Sequence, residues 1–186
     1  MKKSLFLLTL LSIFLISCKP ATEQEITPQQ EFFNKFKELQ GMRFMGTETY
    51  IKPGVESWAH LELEMYVREC TDSVVYVPFR VGDNHSRTWM FVMEEGDKLR
   101  FRHDHRHPDG TEEDNNLYGG YATDQGTEFR QIFPADEFTY STLERRRHNI
   151  WSAWFSEDMS TFTYSLDVRG EHYITIEFDL TNPVTE

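Results

Sequence analysis

The sequence predicts a mostly-β domain, an antiparallel up-and-down barrel of about ten strands preceded by one amphipathic helix. Apolar residues follow strong helical spacing in one place, at Phe32, Phe33, Phe36 and Leu39. Beyond Gly41 the pattern switches to period two, broken at short, regular intervals by clusters of Gly, Asp, Asn and Pro. Aromatic residues make up 15% of the chain, enough bulk to fill a barrel interior. A two-sheet sandwich is the alternative arrangement of the same strands. Closure is preferred because it leaves no unpaired edge.

The helix carries its own boundaries. Thr27 is a candidate N-cap, Pro28 occupies the first helical position, Gln30 completes a capping box, and Gly41 ends the segment. With one apolar face to bury, it is expected to serve as a lid or plug on the main body. Strands are expected over 42–51, 57–69, 73–81, 88–94, 98–107, 117–122, 127–133, 147–155, 160–168 and 173–180. Within 57–69, Ala59, Leu61, Leu63, Met65 and Val67 share one face, while Trp58, His60, Glu62, Glu64, Tyr66 and Arg68 share the other. The greasy face as core is the ordinary pattern; the polar face turned inward would make a wet lumen. Tyr118-Gly119-Gly120-Tyr121 sets paired glycines in a strand, as bulges, bends and close backbone approaches do, and a corner is expected there.

At the N-terminus, Lys2 and Lys3 precede an apolar run from Leu5 to Ile16, too short to span a bilayer. A positive start, a short apolar stretch and a small residue at its end describe an export signal over residues 1–17. Its closing residues, Leu15-Ile16-Ser17-Cys18, resemble the lipobox of bacterial lipoproteins. That resemblance implies cleavage before Cys18, diacylation of Cys18, a flexible tether over 18–27, and a single domain over 28–186 held at a membrane. Lys19, standing where inner-membrane lipoproteins of enteric bacteria carry aspartate, implies delivery to the outer membrane of the cell envelope. The opening helix and the run Leu39-Gln40-Gly41-Met42-Arg43-Phe44-Met45-Gly46 resemble the start of calycin barrels such as lipocalins and fatty-acid-binding proteins. Phe44 takes the place of the aromatic, often tryptophan, that follows a glycine in their first strand. The resemblance covers architecture over 28–181. The segment from His103 to Thr139 is also similar to one in secreted bacterial proteins, which implies no activity.

The chain carries 19 basic and 31 acidic side chains, a net charge of −12, and losing Lys2 and Lys3 with the leader makes it more acidic. Such a surface repels nucleic acid and anionic headgroups, so nucleic acid is excluded as a partner and membrane association is left to the lipid. Of the two cysteines, Cys18 and Cys70, lipidation of the first leaves Cys70 without a partner. An exported domain without disulfides rests on its core, and Cys70 is expected to be a small residue near a strand end.

The densest group of chemistry-bearing residues runs from Arg102 to Asp114. On a strand over 98–107, His103, His105 and His107 project from one face, and imidazoles at i and i+2 can share a divalent transition metal. Such a metal needs further ligands, for which His60, Glu62 and Glu64 are candidates. The alternative is a hydrogen-bonded rim, backed by an Arg/Asp ladder through Arg102, Asp104 and Arg106. Candidate ligand-binding residues are Trp58, His60, Tyr66, Phe101, Tyr118 and Arg130, with Phe44, Trp89, Phe91, Phe129, Phe133, Trp151 and Trp154 dividing between cavity lining and core. Arg145-Arg146-Arg147-His148 offsets nearby acids at a strand start or contacts an anionic partner. Hydrolase signatures such as Gly-x-Ser-x-Gly and His-Glu-x-x-His do not occur.

The expected function is therefore a lipid-anchored envelope protein that binds a small, partly apolar ligand in a barrel cavity. Two alternatives from other classes stand beside it. One is an envelope enzyme using the His103/His105 face, with or without a metal; the other is an interaction or assembly lipoprotein with a solid core.

Overall fold

The structure is a computed structural model that describes residues 25–184. The leader over 1–17, Cys18 and the first part of the tether lie outside the described residues. Helix α1, Pro28–Lys35, continues as a 3-10 turn over Phe36–Leu39. Eleven strands follow: β1 Arg43–Ile51, β2 Leu63–Tyr66, β3 Glu69–Cys70, β4 Val74–Val81, β5 Asn84–Glu94, β6 Lys98–His105, β7 Tyr118–Tyr121, β8 Arg130–Pro134, β9 Asn149–Phe155, β10 Thr161–Val168 and β11 Glu171–Asp179. A second helix, α2, covers Glu137–Thr142 and leads into a 3-10 turn over Glu144–Arg146. Among the described residues no helix is long and apolar enough to cross a membrane.

The strands pair antiparallel in the order β7-β6-β5-β4-β2-β1-β11-β10-β9-β8, with β3 attached to β4, and curl into a nearly closed barrel. This is the expected architecture. Two departures change which elements form. Residues 57–62 form a loop, so the long strand over 57–69 shrinks to β2 and β3, with Leu63, Met65 and Val67 facing the core. Helix α2 lies where no helix is expected; Asp136 caps it by accepting from the Thr139 amide at 3.0 Å.

The barrel closes between β7 and β8 without a regular ladder. The Thr123 amide donates to the Ile132 carbonyl (3.0 Å) and the Asp136 amide to the Gly119 carbonyl (3.1 Å). The Thr139 hydroxyl accepts from the Gly119 amide and donates to its carbonyl, both at 2.7 Å. A Cβ on Gly120 would sit 1.7 Å from the Pro134 carbonyl oxygen, and one on Gly119 would sit 1.9 Å from that of Phe101. The paired glycines therefore mark close approach of backbones, Gly120 to β8 across the seam and Gly119 to β6, rather than a corner. Outside the wall, Arg102 is buried against α2, where its guanidinium pairs with Asp136. Burial alone would raise the Asp136 carboxyl, but Arg102 and the Thr139 amide hold it below the usual aspartate value.

Helix α1 plugs one end. Its capping box forms as expected, with the Thr27 amide donating to Gln30 Oε1 (2.8 Å) and the Gln30 amide donating to Thr27 Oγ1 (3.2 Å). Phe32 and Phe36 are fully buried. The Phe36 ring stacks on Phe91 with centroids 4.7 Å apart and meets Phe155 edge-on at 5.0 Å. Burying each such side chain stabilises the fold by about 1.5–3 kcal/mol. Cys70 fits its expected modest role: its thiol donates to the Phe36 carbonyl (3.4 Å), and burial pushes its pKa up, keeping it protonated.

Candidate functional site

At the end opposite α1 the barrel interior opens into a cavity of about 250 Å³. Strand parity decides what faces it. Arg87, Trp89 and Phe91 alternate inward on β5, as do Phe101, His103 and His105 on β6 and Phe162, Tyr164 and Leu166 on β10. Pairing of β5 with β6 sets Arg87 opposite His105 and Trp89 opposite His103, and β7 lays Tyr118 beside His103. Phe79 of β4, Trp151 of β9 and Ile174 of β11 complete the wall.

The aromatic rings form two layers. Trp89 lies between Phe79 (centroids 4.5 Å apart, 19°) and Tyr164 (4.6 Å, 16°). His103 stacks on Tyr118 at 4.5 Å and 17°. Hydrogen bonds join the polar tips: His105 Nε2 and the Tyr118 hydroxyl are 2.9 Å apart, and His103 Nε2 and the Tyr164 hydroxyl 3.3 Å apart. Glu113 approaches from the following loop, with its Oε2 3.6 Å from His105 Nδ1. Burial, then the neighbouring His105, Arg146 and Arg87, hold His103 well below the ordinary histidine value of 6.5. Burial and Arg87 lower His105 too, against the opposing pull of Glu113. Both imidazoles are therefore neutral at neutral pH. Burial pushes the Tyr118 and Tyr164 phenols up, so they keep their protons and remain donors.

Three loops bring groups to the rim. Glu48 accepts from the Ser57 hydroxyl and the Trp58 amide, each at 2.6 Å, and so fixes the loop that carries Trp58. The Arg87 guanidinium lies 5.4 Å from the Trp58 ring. Arg146, from the 3-10 turn after α2, covers the Tyr118 ring at 3.8 Å, and its Nε donates to Asn115 Oδ1 (3.1 Å). Three buried nitrogens of this site, Arg87 Nη1, Trp89 Nε1 and His103 Nδ1, have no hydrogen-bond partner among the described residues. Buried donors left unpaired in a native fold ask for an explanation.

Of the residues predicted to bind a ligand, Trp58 and Tyr118 line the cavity, and Phe101 fills the layer beneath it. His60 is exposed on the loop after Trp58. Tyr66 lies on the outer face under Arg43, whose guanidinium is 3.9 Å from its ring. Arg130 is exposed and covers Trp154 at 4.9 Å on the outer wall. The three-histidine face expected of a metal site does not form, because β6 ends at His105 and the chain turns, leaving His107 exposed. Among the described residues no group of three or more His, Cys, Asp or Glu side chains converges to hold a metal ion. Arg87, Tyr164 and Asn115 escape the sequence reading, although Arg87 shares the parity of Trp89 and Phe91, a charge on an apolar face. Arg146 is legible only as part of a basic run. No protein-family model matches the chain, and no curated protein matches it significantly.

Proposed function

We propose that this chain is a lipid-anchored protein of the bacterial cell envelope that sequesters a small, partly apolar ligand in the cavity at the open end of its barrel. The observation that carries the reading is a walled space of about 250 Å³ whose lining joins flat aromatic rings to polar groups still lacking partners. Aromatic walls remove apolar ligand surface from water, worth about 25 cal/mol per Å². A few polar groups then set the ligand's orientation. With α1 filling the other end, the cavity is blind, so entry and release use the rim of Trp58 and Arg146. The anchor is Cys18, supported by the lipobox resemblance of Leu15-Ile16-Ser17-Cys18.

Native mass spectrometry of the full chain, purified in mild detergent, tests the binding reading. A retained small molecule is expected in the wild type and not in Leu166→Trp, which fills the cavity. Retention that survives cavity filling, or bare polypeptide in both, overturns it. Cys18→Ala is expected to move the chain from the membrane fraction to the soluble one; an unchanged distribution counts against the anchor.

A second reading, an envelope enzyme using the His103/His105 face, draws on the sequence of contacts from Glu113 through His105 to the Tyr118 hydroxyl. A carboxylate, an imidazole and a phenol in file can pass a proton. The raised Tyr118 pKa works against its acting as a base. Turnover of any compound the cavity retains, abolished by Tyr118→Phe, would favour this reading over sequestration.

A further inference from the structure

We infer that the ligand of this cavity is a compact carboxylate with a small apolar body, held at its charged end by Arg87 and Arg146. The inference rests on the reading of the cavity as a ligand site and deepens it. In a chain of net charge −12, the cavity lining among the described residues contains two arginines and no carboxylate, the Glu113 carboxylate standing behind the lining 3.6 Å from His105 Nδ1. Neither guanidinium is neutralised there. Arg87 Nη1 is buried without a partner among the described residues, and Arg146 Nε is held by the neutral amide of Asn115.

The unpaired polar atoms also constrain the chemistry. Guanidinium and indole nitrogens donate and cannot accept. Arg87 Nη1 and Trp89 Nε1 therefore ask for acceptors, and an ionised carboxylate offers only acceptors, in a geometry matched to a guanidinium fork. The two guanidiniums act on the site's own chemistry in the same sense: after burial and His105, they are what keeps His103 from taking a proton. A group that excludes one positive charge favours a negative one.

Shape fixes the rest of the molecule. The stacked rings cover one another's faces, Trp89 between Phe79 and Tyr164 and His103 on Tyr118, so the lining they form with Leu166 and Ile174 is a short apolar wall that suits a compact apolar body. The volume of about 250 Å³ falls below the ~300–1,000 Å³ of pockets for drug-sized ligands. Beneath it Phe101 and Phe162 are fully buried and fill the barrel, so an extended tail has nowhere to go. A long-chain fatty acid is excluded by this floor, and a compact carboxylate is not.

The test compares 2-naphthoate with its uncharged isostere 2-naphthamide by isothermal titration calorimetry on the full chain, in wild type, Arg87→Gln and Arg146→Gln. Naphthoate is expected to bind at least about tenfold more tightly than naphthamide, and each substitution to weaken naphthoate by about tenfold. Naphthamide affinity is expected to stay within about twofold in both variants, which also reports that they fold. Rising salt should weaken naphthoate alone. Equal affinities for the two probes, or a naphthoate affinity untouched by both substitutions, overturns the anionic class while the cavity remains a binding site. Failure of both probes to bind the wild type overturns the inference and the cavity reading together.

Discussion

At the end covered by α1, strands β5, β6, β9 and β10 turn Phe91, Phe101, Phe155 and Phe162 into the barrel. One inward position further along β5, β6 and β10, the residues become Trp89, His103 and Tyr164, and two positions along β9 the residue is Trp151. The same strands thus build two interiors. Phenylalanine rings need shape alone, so Phe32 and Phe36 complete a solid plug among them. Indole, imidazole and phenol carry polar tips that want partners as well as contact. Tyr118 and Tyr164 find histidines; Trp89 Nε1 and His103 Nδ1 find none among the described residues. One end of the barrel is spent on stability and the other is left with unmet hydrogen-bonding capacity, which is the physical difference between a core and a site.

That division concentrates stability at the plug. Phe36→Ala, which removes a fully buried ring, is expected to cost about 3–5 kcal/mol in denaturant unfolding. A loss below about 1 kcal/mol would mean the plugged end is no more a core than the mouth.

The histidines sharpen the contrast through pH. Their native pKa values lie below 6.5, so the native state binds fewer protons than the unfolded chain between the depressed values and 6.5. Their contribution is complete above 6.5 and is lost as pH falls through that window. Each histidine held neutral costs about 1.4 kcal/mol per pH unit there. Asp136, lowered from 3.8, acts only at lower pH and does not confuse the window. His103→Phe is expected to flatten the slope of stability against pH just below pH 6.5 by one proton's share; an unchanged slope would show that His103 does not resist protonation.

The smallest effect on folding belongs to the rim. Trp58 is half-buried on a loop, so Trp58→Ala is expected to change stability by about 1 kcal/mol or less. Stopped-flow release of 2-naphthoate should nevertheless quicken, because the substitution widens the exit. A large stability loss with unaltered release would make Trp58 part of the core rather than the gate.

Much of the fold could be read locally. The cap at Thr27 and Gln30, the apolar positions of α1 and the alternation along β4, β5, β6 and β10 depend on residues within a turn or a strand of one another. The 57–69 segment misled because alternation continues through Trp58, His60 and Glu62, while Glu48, close to it in space, holds Trp58 in a loop. Helix α2 stayed hidden because it is short and gains its place from the Arg102–Asp136 pair and the Thr139–Gly119 bonds across the seam. The site divides in the same way. His103, His105, Tyr118 and Trp58 stand out by chemistry, whereas Arg87 and Arg146 acquire meaning only beside them.

The chain alone determined one capped helix, a period-two body and the inward parity of each strand, since these follow from the 3.6- and 2-residue repeats of the backbone. Only the tertiary structure decided that β7 meets β8 with Gly120 against Pro134, and that Arg87 and Arg146 converge on the same aromatic walls. Parity names the face a side chain takes. Which faces meet is settled by pairings between residues far apart in the chain, whose energies no local pattern encodes.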